Sequence, residues 1–448
     1  MSIYPSELKA FADALPVPLY AVGGCVRDAL LGRISHDVDL CSAMRPEQLA
    51  AFAEAAGVPC SLVNARLGTV LLQIGGTKYE HTTFRTESYP PGGMHTPQTV
   101  AFTDSLTADA FRRDFSINAL YQNVSTGELV DPTGGLHDLE HRVLRTTTPD
   151  PAVILRDDGL RILRLVRFAV STGFMIDPAT WEAAKAHEAL LDSIAWERKR
   201  QELDRLLVFD NVLRALTHLQ ELGALFRLFP ELKDADGLAQ RPDYHKYDVL
   251  THMLHTCAAM PPAVELRLMG LLHDVGKPKS LFGYGNYHRH AYIGERMSEA
   301  ILKRLTYPHA TVKRVSLAVG RHMFDLDGHA KESTLRQRFV EWGRQGTEDA
   351  IVLREADIRG SGYQTAYVAA RWRRVYQAML DENVPWTTSE LALSGREIID
   401  ALGMTPSPAV AKLQGQLLLH CVCHPKDNTK ARLLKRLSDF GAPTAENA

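Results

Sequence analysis

The sequence predicts an α+β protein, in which an N-terminal domain with a mixed sheet and helices precedes all-helical domains. Short β-type runs alternate with helical ones such as PEQLAAFAEAAG and SINALYQ over residues 17–145, separated by glycine and proline. From about residue 150 onward, amphipathic helical stretches dominate and we expect no further strands. These patterns divide the chain into four expected parts: residues 1–145, 146–240, 241–360 and 361–448.

The composition limits the classes of protein to which the chain can belong. The formal net charge of −2 gives no global basic signature, so any contact with RNA must come from local patches. No window reaches the roughly 18 uninterrupted apolar residues of a membrane span, and the first residues do not resemble a secretory signal. We therefore expect a cytoplasmic protein that binds no membrane, while its oligomeric state stays open.

Two aspartates lie two residues apart in the segment GGCVRDALLGRISHDVDL, residues 23–40. On a strand, Asp37 and Asp39 face the same side and repel each other unless a cation lies between them. Magnesium fits, because a pair of metals can clamp the attacking and leaving oxygens of a phosphoryl transfer. A third carboxylate should come from a neighbouring strand, and Glu80 in the alternating run KYEHTTFR is the candidate. A lone aspartate pair can also be a solvated strand end.

The glycines that precede this pair predict a phosphate-binding turn. Gly23 and Gly24 let backbone N–H groups approach phosphates, and the start of the following helix favours anions. Arg27 adds a guanidinium that can bind phosphate oxygens. All three features suit one triphosphate.

The segments GGCVRD, HDVDL, YEHTTFR, FRRDFSINALY and DPTGGLHDLEHRVLR occur in this order. Together they resemble the head of the class II tRNA nucleotidyltransferases, the CCA-adding enzymes, and of the related bacterial poly(A) polymerases. The resemblance implies a nucleotidyltransferase fold for residues 1–145, here called the head, and metal binding by the three carboxylates. It also implies that Arg113, Asp114 and Asn118 hold the nucleotide. The alternative for Asp114 and Asn118 is helix capping.

The segment DDGLRILR predicts a pair of residues that reads the base. We expect Asp158 and Arg161 on one helical face, with Asp157 one turn before the arginine. Cytosine and adenine both present an amine donor beside a ring-nitrogen acceptor, so the carboxylate can accept from the amine while the guanidinium donates to the ring. The segment is similar to the family's EDxxR motif, with Asp157 in place of glutamate. The alternative is a surface ion pair.

Two further arginines and one loop complete the expected nucleotide site. Arg164 follows the base-reading pair, and Arg198 in WERKRQELDRLL resembles the arginine of the family's ERxxxE motif, which helps hold the triphosphate. A solvated charged helix face is the alternative for the latter. Residues 82–106 carry prolines and glycines at their centre and predict a mobile loop. CC-only members of the family lack such a loop, so its presence favours an enzyme that finishes with A.

A second ordered series of histidines and carboxylates spans residues 244–362. A lone histidine on an apolar helix is more often a core residue, but here the histidines accompany carboxylates. The series resembles the HD phosphohydrolase superfamily, with Lys277 in its HDxGK setting, and the implied metal ligands are His252, His273, Asp274, His290, His322 and Asp357. Magnesium, manganese, nickel or another divalent ion there would activate water for phosphoester hydrolysis. The alternative is a retained structural scaffold.

These features predict an enzyme that adds CCA to the 3′ end of tRNA from CTP and ATP without a nucleic-acid template. Phosphate contacts with tRNA are expected from local basic patches in the last part of the chain. The candidates are Arg371, Arg373, Arg374, Lys426, Lys430, Arg432, Lys435 and Arg436. A poly(A) polymerase, an A-adding specialist and a protein that is chiefly an HD phosphohydrolase stay open as alternatives.

Overall fold

The computed structural model describes residues 4–34, 37–90, 92–94, 96–363 and 367–439. The chain forms two compact units, Met1–Pro230 and Glu231–Ala448. The strands of the described residues all lie in the first unit, whereas the second unit is helical. The first unit therefore carries the mixed sheet that the N-terminal sequence predicts.

The first unit is built on a mixed seven-stranded sheet in the order β3-β4-β5-β2-β1-β8-β9. Only β2 and β5 pair in parallel within this sheet; its other neighbours are antiparallel. A hairpin of β6 with β7 and a short pair of β10 with β11 lie outside it. The strands are β1 (Tyr20–Val22), β2 (Asp39–Ser42), β3 (Cys60–Asn64), β4 (Thr69–Ile74), β5 (Thr77–Thr83), β6 (Arg85–Ser88), β7 (Thr99–Phe102), β8 (Tyr121–Asn123), β9 (Leu129–Val130), β10 (Val143–Leu144) and β11 (Met175–Ile176).

Eleven helices accompany these strands within the described part of the first unit, and a 3-10 turn at Ser116–Asn118 precedes β8. They are α1 (Ser6–Ala14), α2 (Gly24–Leu30), α3 (Pro46–Ala55), α4 (Leu106–Phe111), α5 (Gly135–Glu140), α6 (Pro151–Asp157), α7 (Leu160–Thr172), α8 (Pro178–Ala186), α9 (Trp196–Leu207), α10 (Val212–Glu221) and α11 (Ala224–Leu228).

The second unit is a set of helices, of which α17 is broken at Gly343, where φ is +74°. The helices are α12 (Val249–Ala259), α13 (Val264–Leu272), α14 (Lys277–Tyr284), α15 (His290–Arg304), α16 (His309–Arg321), α17 (Glu332–Gly360), α18 (Tyr367–Asp381), α19 (Gly395–Leu402), α20 (Pro408–Cys423) and α21 (Lys430–Asp439). Within the described residues, no helix is both long and apolar enough to cross a membrane.

One face of the large sheet packs against helices, and the opposite face is accessible to the candidate active site. Leu8 of α1 and Leu49 of α3 share a core with Leu40 and Leu72 of the sheet. Strand β5 follows the same division, because alternate residues such as His81 are buried and Glu80 lies on the exposed side. The alternation of apolar and polar residues therefore directs Glu80 away from that core.

Three segments form strands where the sequence does not predict them. Residues 82–106, expected as a mobile loop, contain the hairpin of β6 and β7. The run SINALYQ forms only a 3-10 turn, after which Tyr121 begins β8, because pairing with β1 and β9 overrides the helical pattern. A strand also occurs after residue 150: Met175–Ile176 pairs in parallel with Val143–Leu144. A two-residue strand is too short to leave a period-two signal in the sequence.

A close backbone contact positions the 3-10 turn that carries Asn118. A Cβ atom built on Gly135 would lie 2.8 Å from the carbonyl carbon of Ser116, so only glycine lets α5 approach this turn. We expect Gly135→Ala to lower the free energy of unfolding by roughly 1–3 kcal/mol, because the turn must move.

Thermal unfolding measures this effect, with Gly415→Ala as the control. Gly415 lies inside α20, where an added Cβ would meet nothing within 4 Å. Its replacement should leave stability unchanged or raise it by up to about 1 kcal/mol. Equal melting temperatures for the two variants would contradict the steric argument.

Candidate active site and metal centre

Two of the predicted catalytic carboxylates lie opposite each other where β2 meets β5, and the charge of the third acts on one of them. Asp39, the first residue of β2, lies directly opposite Glu80 in the parallel register, and Asp37 precedes it by two positions. Loss of hydration and then the neighbouring charges of Glu80 and Asp37 raise the pKa of Asp39, while Arg113 opposes them. Like charges held this close fit a divalent cation.

A cleft of about 780 Å³ in the first unit opens beside Asp37 and Asp39. Nine arginines and six carboxylates line it, and this excess of positive charge suits a polyanion such as a triphosphate. Every predicted nucleotide-binding residue lines the cleft, whereas Glu80 lies outside its wall and beside Asp39. The residues so placed are Gly23, Gly24, Arg27, Arg113, Asp114, Asn118, Asp158, Arg161, Arg164 and Arg198.

The glycine turn starts α2 and directs Arg27 into the cleft. Gly23 precedes the first helical residue, Gly24, with a φ of +83°, a conformation that other residues adopt only with strain. One turn later, Arg27 donates from Nη1 to Oδ1 of Asn118 at 2.6 Å and from Nε to Asp28 at 2.9 Å. The glycine turn and the 3-10 turn are thereby joined through one guanidinium.

Asp114 holds two predicted nucleotide-binding side chains in place. Its Oδ2 accepts from Nε of Arg164 at 2.8 Å, and its Oδ1 accepts from the Asn118 side chain at 3.2 Å. Although burial opposes ionisation, the guanidinium of Arg164 lowers the pKa of Asp114 to about 2. The 3-10 turn that follows has no side-chain cap, so the alternative of helix capping does not describe this aspartate.

The sequence analysis missed Asp109, which supports Arg113 from below the cleft. Asp109 is 1% exposed and accepts from Arg112, Arg113 and the Tyr121 hydroxyl at 2.8, 3.0 and 2.7 Å. Burial alone would raise its pKa, but Arg113 and Arg112 lower it to about 2. The spacing of one aspartate three and four residues before two arginines was the available signal.

Phe168 is a second residue that the sequence did not single out. The guanidinium carbons of Arg27, Arg164 and Arg167 lie 5.3, 5.4 and 4.2 Å from its ring centroid. Arg167 also donates to Glu202 at 2.6 Å, and Glu202 and Arg198 both belong to α9. The cation–π contacts with this ring restrain the three arginine side chains in the absence of an anion.

The expectation that Asp158 and Arg161 share one helical face is wrong. Asp158 ends α6 with φ −148° and ψ 106°, its Oδ1 accepts from the amide of Leu160 at 2.9 Å, and α7 begins at that leucine. Gly159 permits this break, since a Cβ there would lie 2.8 Å from the Leu190 carbonyl oxygen. Both side chains nevertheless line the cleft.

Backbone carbonyls fix the orientation of Arg161. Its Nη1 donates to Ile154 and its Nη2 to Arg112, both at 2.8 Å, while Asp157 lies 3.9 Å away. A surface ion pair therefore does not describe Arg161, which is 7% exposed. The fixed guanidinium of Arg161 and the side chain of Asp158 both line the cleft.

The second unit brings together all six predicted metal ligands. His252, His273 and Asp357 form one group, and Asp274, His290 and His322 form another. Asp274 spans them, with Oδ2 at 3.2 Å from Nε2 of His273 and Oδ1 at 3.2 Å from Nε2 of His290. Lys277 contacts the same carboxylate at 2.6 Å.

The chemistry of this cluster fits a pair of cations. Nδ1 of His273, His290 and His322 lies within 2.9 Å of a backbone carbonyl, which directs the Nε2 atom toward the cluster. The Nε2 atoms of His252 and His273 are 3.0 Å apart, as are those of His290 and His322. Facing imidazole lone pairs at this distance repel unless a proton or metal ion lies between them.

The basic residues near the C-terminus are less available than the sequence suggests. Arg373 pairs with Glu355 at 2.7 Å, Lys430 with Glu397 at 2.6 Å, and Arg432 with Asp427 at 3.0 Å. Arg371 donates to the backbone carbonyl of Gly328 at 2.9 Å. Arg374, Lys426 and Lys435 are exposed.

Comparison with known families divides the chain in the same order as these sites. Residues 19–145 match the model of the poly A polymerase head domain, and residues 244–359 match the HD domain. Residues 173–236 match the model described as "Probable RNA and SrmB-binding site of polymerase A". The carboxylates and the cleft, together with the first match, define a nucleotidyltransferase.

Full-length relatives identify which nucleotidyltransferases the chain resembles. The A-adding tRNA nucleotidyltransferase of Deinococcus radiodurans is 33% identical and aligns over 88% of each chain. The CCA-adding enzyme of Levilactobacillus brevis is 30% identical, over 94% of this chain and 93% of the relative. The crystal structure of the Bacillus stearothermophilus CCA-adding enzyme in complex with CTP matches with a TM-score of 0.69 at 26% identity, covering 97% and 96% of the chains. The chain belongs to the tRNA nucleotidyltransferase family.

Asp109 gives a test of how the cleft is supported. Asp109→Asn leaves the guanidinium groups of Arg112 and Arg113 without their buried counter-charge, so we expect unfolding at pH 7 to become easier by roughly 3 kcal/mol. In the wild type, the lowered pKa stabilises the fold above pH 4, and roughly 2 kcal/mol of this is lost as the pH falls through 2. Denaturant titrations between pH 7 and 2 should show a weaker acid dependence for the variant. Asp104→Asn, at an exposed residue, is the control; identical pH profiles for Asp109→Asn and the wild type would refute this role.

Proposed function

We propose that this protein adds C, C and A in turn to the 3′ end of tRNA, with CTP and ATP as donors and pyrophosphate as the leaving group. The observation that carries the proposal is one cleft that holds Asp37 and Asp39 together with Asp158 and Arg161. Catalytic carboxylates and a potential base-reading pair thus face the same nucleotide. The relatives' names and the complex of a related structure with CTP support it.

The head residues have separate tasks in this reaction. The 3′ oxygen of the RNA attacks the α-phosphorus of the nucleotide, and the bond to pyrophosphate breaks. Magnesium at Asp37, Asp39 and Glu80 would supply activation of the attacking oxygen and charge neutralisation. Arg27, which Asn118 orients, and Arg164, which Asp114 orients, would bind the phosphates.

The base is selected by the pattern of donors and acceptors. Asp158 accepts from the exocyclic amine of cytosine or adenine, and Arg161 donates to the adjacent ring nitrogen. Uracil and guanine present a carbonyl to the carboxylate and a ring N–H to the guanidinium. An acceptor would then face an acceptor and a donor would face a donor, so neither hydrogen bond forms. The backbone carbonyls that hold Arg161 restrict its movement away from a wrong base.

An A-adding specialist is the second candidate, because the Deinococcus relative carries that name. The same base-reading pair accepts both C and A, so the cleft by itself favours neither. The hairpin of β6 and β7, on whose connecting segment Tyr89 lines the cleft, supports an enzyme that can finish with A.

The remaining parts of the chain would bind and orient tRNA. In this proposal, residues 1–145 catalyse, residues 146–240 read the base, residues 241–360 form the phosphohydrolase centre and residues 361–448 contact tRNA. The exposed Arg374, Lys426 and Lys435 would contact RNA phosphates. We propose a cytoplasmic location, where such an enzyme meets its tRNA.

Transcripts that end before, within or after CC test the proposal directly. With CTP and ATP, the enzyme should complete CCA on each and incorporate neither UTP nor GTP. Extension only of the transcript ending in CC would identify an A-adding enzyme, and runs of A would identify a poly(A) polymerase. Asp39→Asn should lower incorporation at least about a hundredfold, since the metals supply several kcal/mol. Asp13→Asn, at an exposed residue of α1, should retain it.

We further propose that the six-ligand cluster is a phosphohydrolase centre, because its two groups of ligands, both contacted by the Asp274 carboxylate, would hold divalent ions. Four imidazoles favour a transition ion such as manganese or nickel over magnesium. Such ions would supply an activated water for hydrolysis of a phosphoester, in which a P–O bond to water would form, the ester P–O bond would break and the alcohol would take up a proton. The 3′-terminal or cyclic phosphate of a damaged RNA end would be a suitable substrate.

Asp274→Asn tests this second centre separately from the first. Without the bridging carboxylate, the variant should lose most bound manganese or nickel, measured by calorimetry and elemental analysis, together with phosphodiesterase activity. Nucleotide incorporation should persist. Asp400→Asn, at an exposed residue of α19, is the control. Full metal binding by Asp274→Asn would contradict the bridging role.

A further inference from the structure

A fifth histidine, His245, lies beside the four histidines of the metal cluster without belonging to it. The ring centroid of His245 is 4.6 Å from that of His252, in an edge-to-face arrangement. His245 is nevertheless outside both groups of ligand atoms. Its Nδ1 atom is buried and has no hydrogen-bond partner among the described residues. Buried polar atoms are normally hydrogen-bonded, so this nitrogen can bind a ligand.

The segment that carries His245 is fixed at several points. The hydroxyl of Tyr363 donates to the carbonyl of Pro242 at 2.7 Å, and the amide of Lys246 donates to Ser361 at 3.0 Å. Immediately after them, the ring of Tyr247 stacks on His255 at 4.4 Å between centroids. These contacts hold the backbone on both sides of His245, so the imidazole is positioned before any ligand binds.

The charged groups that act on His245 include the ammonium of Lys277 as well as the carboxylates of Asp274 and Asp357. Nζ of Lys277 lies 2.6 Å from Oδ2 of Asp274 and 2.6 Å from Oε1 of Gln240, which precedes this same segment. The ammonium group is thus held between the cluster and the segment of His245. An anion bound on this side of the cluster would contact the fixed ammonium group of Lys277 and the Nδ1 atom of His245.

We propose that His245 is a substrate-binding residue of the phosphohydrolase centre, donating from Nδ1 to a non-bridging oxygen of the phosphate ester. This inference rests on the proposed hydrolase function. The contact requires no bond to form or break at His245. It makes the residue a determinant of phosphate affinity, separate from the six metal ligands.

Three variants of the full chain test the proposal. His245→Leu removes the donor, and we expect KM for bis(p-nitrophenyl) phosphate to rise roughly ten- to one-hundredfold, as for the loss of a hydrogen bond to a charged group. The value of kcat should change less than twofold and the manganese content should be unchanged. His245→Asn keeps an N–H near the Nδ1 position and should restore much of the affinity. His329→Leu alters an exposed histidine between α16 and α17 and should behave as the wild type.

Binding of inorganic phosphate to the manganese-loaded protein, followed by 31P relaxation, gives a readout that does not need turnover. If the wild type binds phosphate but hydrolyses no ester, the hydrolase proposal fails while the role of His245 is still tested by the relaxation. A lower manganese content in His245→Leu would make the residue a support of the metal site and overturn the inference. Equal phosphate affinity in His245→Leu and wild type, or no phosphate binding by either, would also overturn it.

Discussion

The repulsion between Asp39 and Glu80 is the constraint on which the catalytic face of the first unit depends. The single parallel pairing of the large sheet sets these carboxylates opposite each other, and Asp37 adds a third charge nearby. A fold optimised only for stability would separate them, because like charges directly opposite are destabilising. Shared cations would stabilise their proximity, and the arginine-lined cleft beside them would suit the phosphates that accompany such cations.

The buried aspartates of this unit hold arginine side chains in place. Asp109 and Asp114 are both almost fully buried, and each is ionised through its guanidinium partners. A buried carboxylate that pairs with arginine limits the rotamers of a long side chain, so less entropy is lost when phosphate binds. In the cluster of the second unit, contacts between Nδ1 atoms and backbone carbonyls fix the orientation of the imidazoles and so the direction of their Nε2 atoms.

Patterns local in sequence could be predicted, whereas contacts between distant segments could not. The alternation around Glu80 was sufficient to place it on the exposed side of β5, opposite Asp39, since strand geometry is periodic, whereas Asp37 lies before β2 begins. The helix break at Asp158 depends on the close approach of Gly159 to Leu190, which lies 31 residues away and leaves no local signal. The roles of Phe168 and His245 depend in the same way on packing against partners from other elements. The resemblance to the HD superfamily selected the six candidate metal ligands that the structure brings together, and the predicted roles of individual site residues stay predictions until tested.

In the proposed functions, the two centres would bind phosphate in different ways, so one chain could carry both. The cleft of the first unit has an excess of guanidinium groups, so it suits a nucleotide that brings three phosphates and releases two. The second centre has buried imidazoles and carboxylates, so it suits metal ions that activate water against a single phosphoester. Nucleotide transfer requires a free 3′ hydroxyl on the RNA, and hydrolysis of a terminal phosphoester produces that hydroxyl. The product of the second proposed reaction is therefore the nucleophile of the first, and neither reaction requires its centre to accommodate the chemistry of the other.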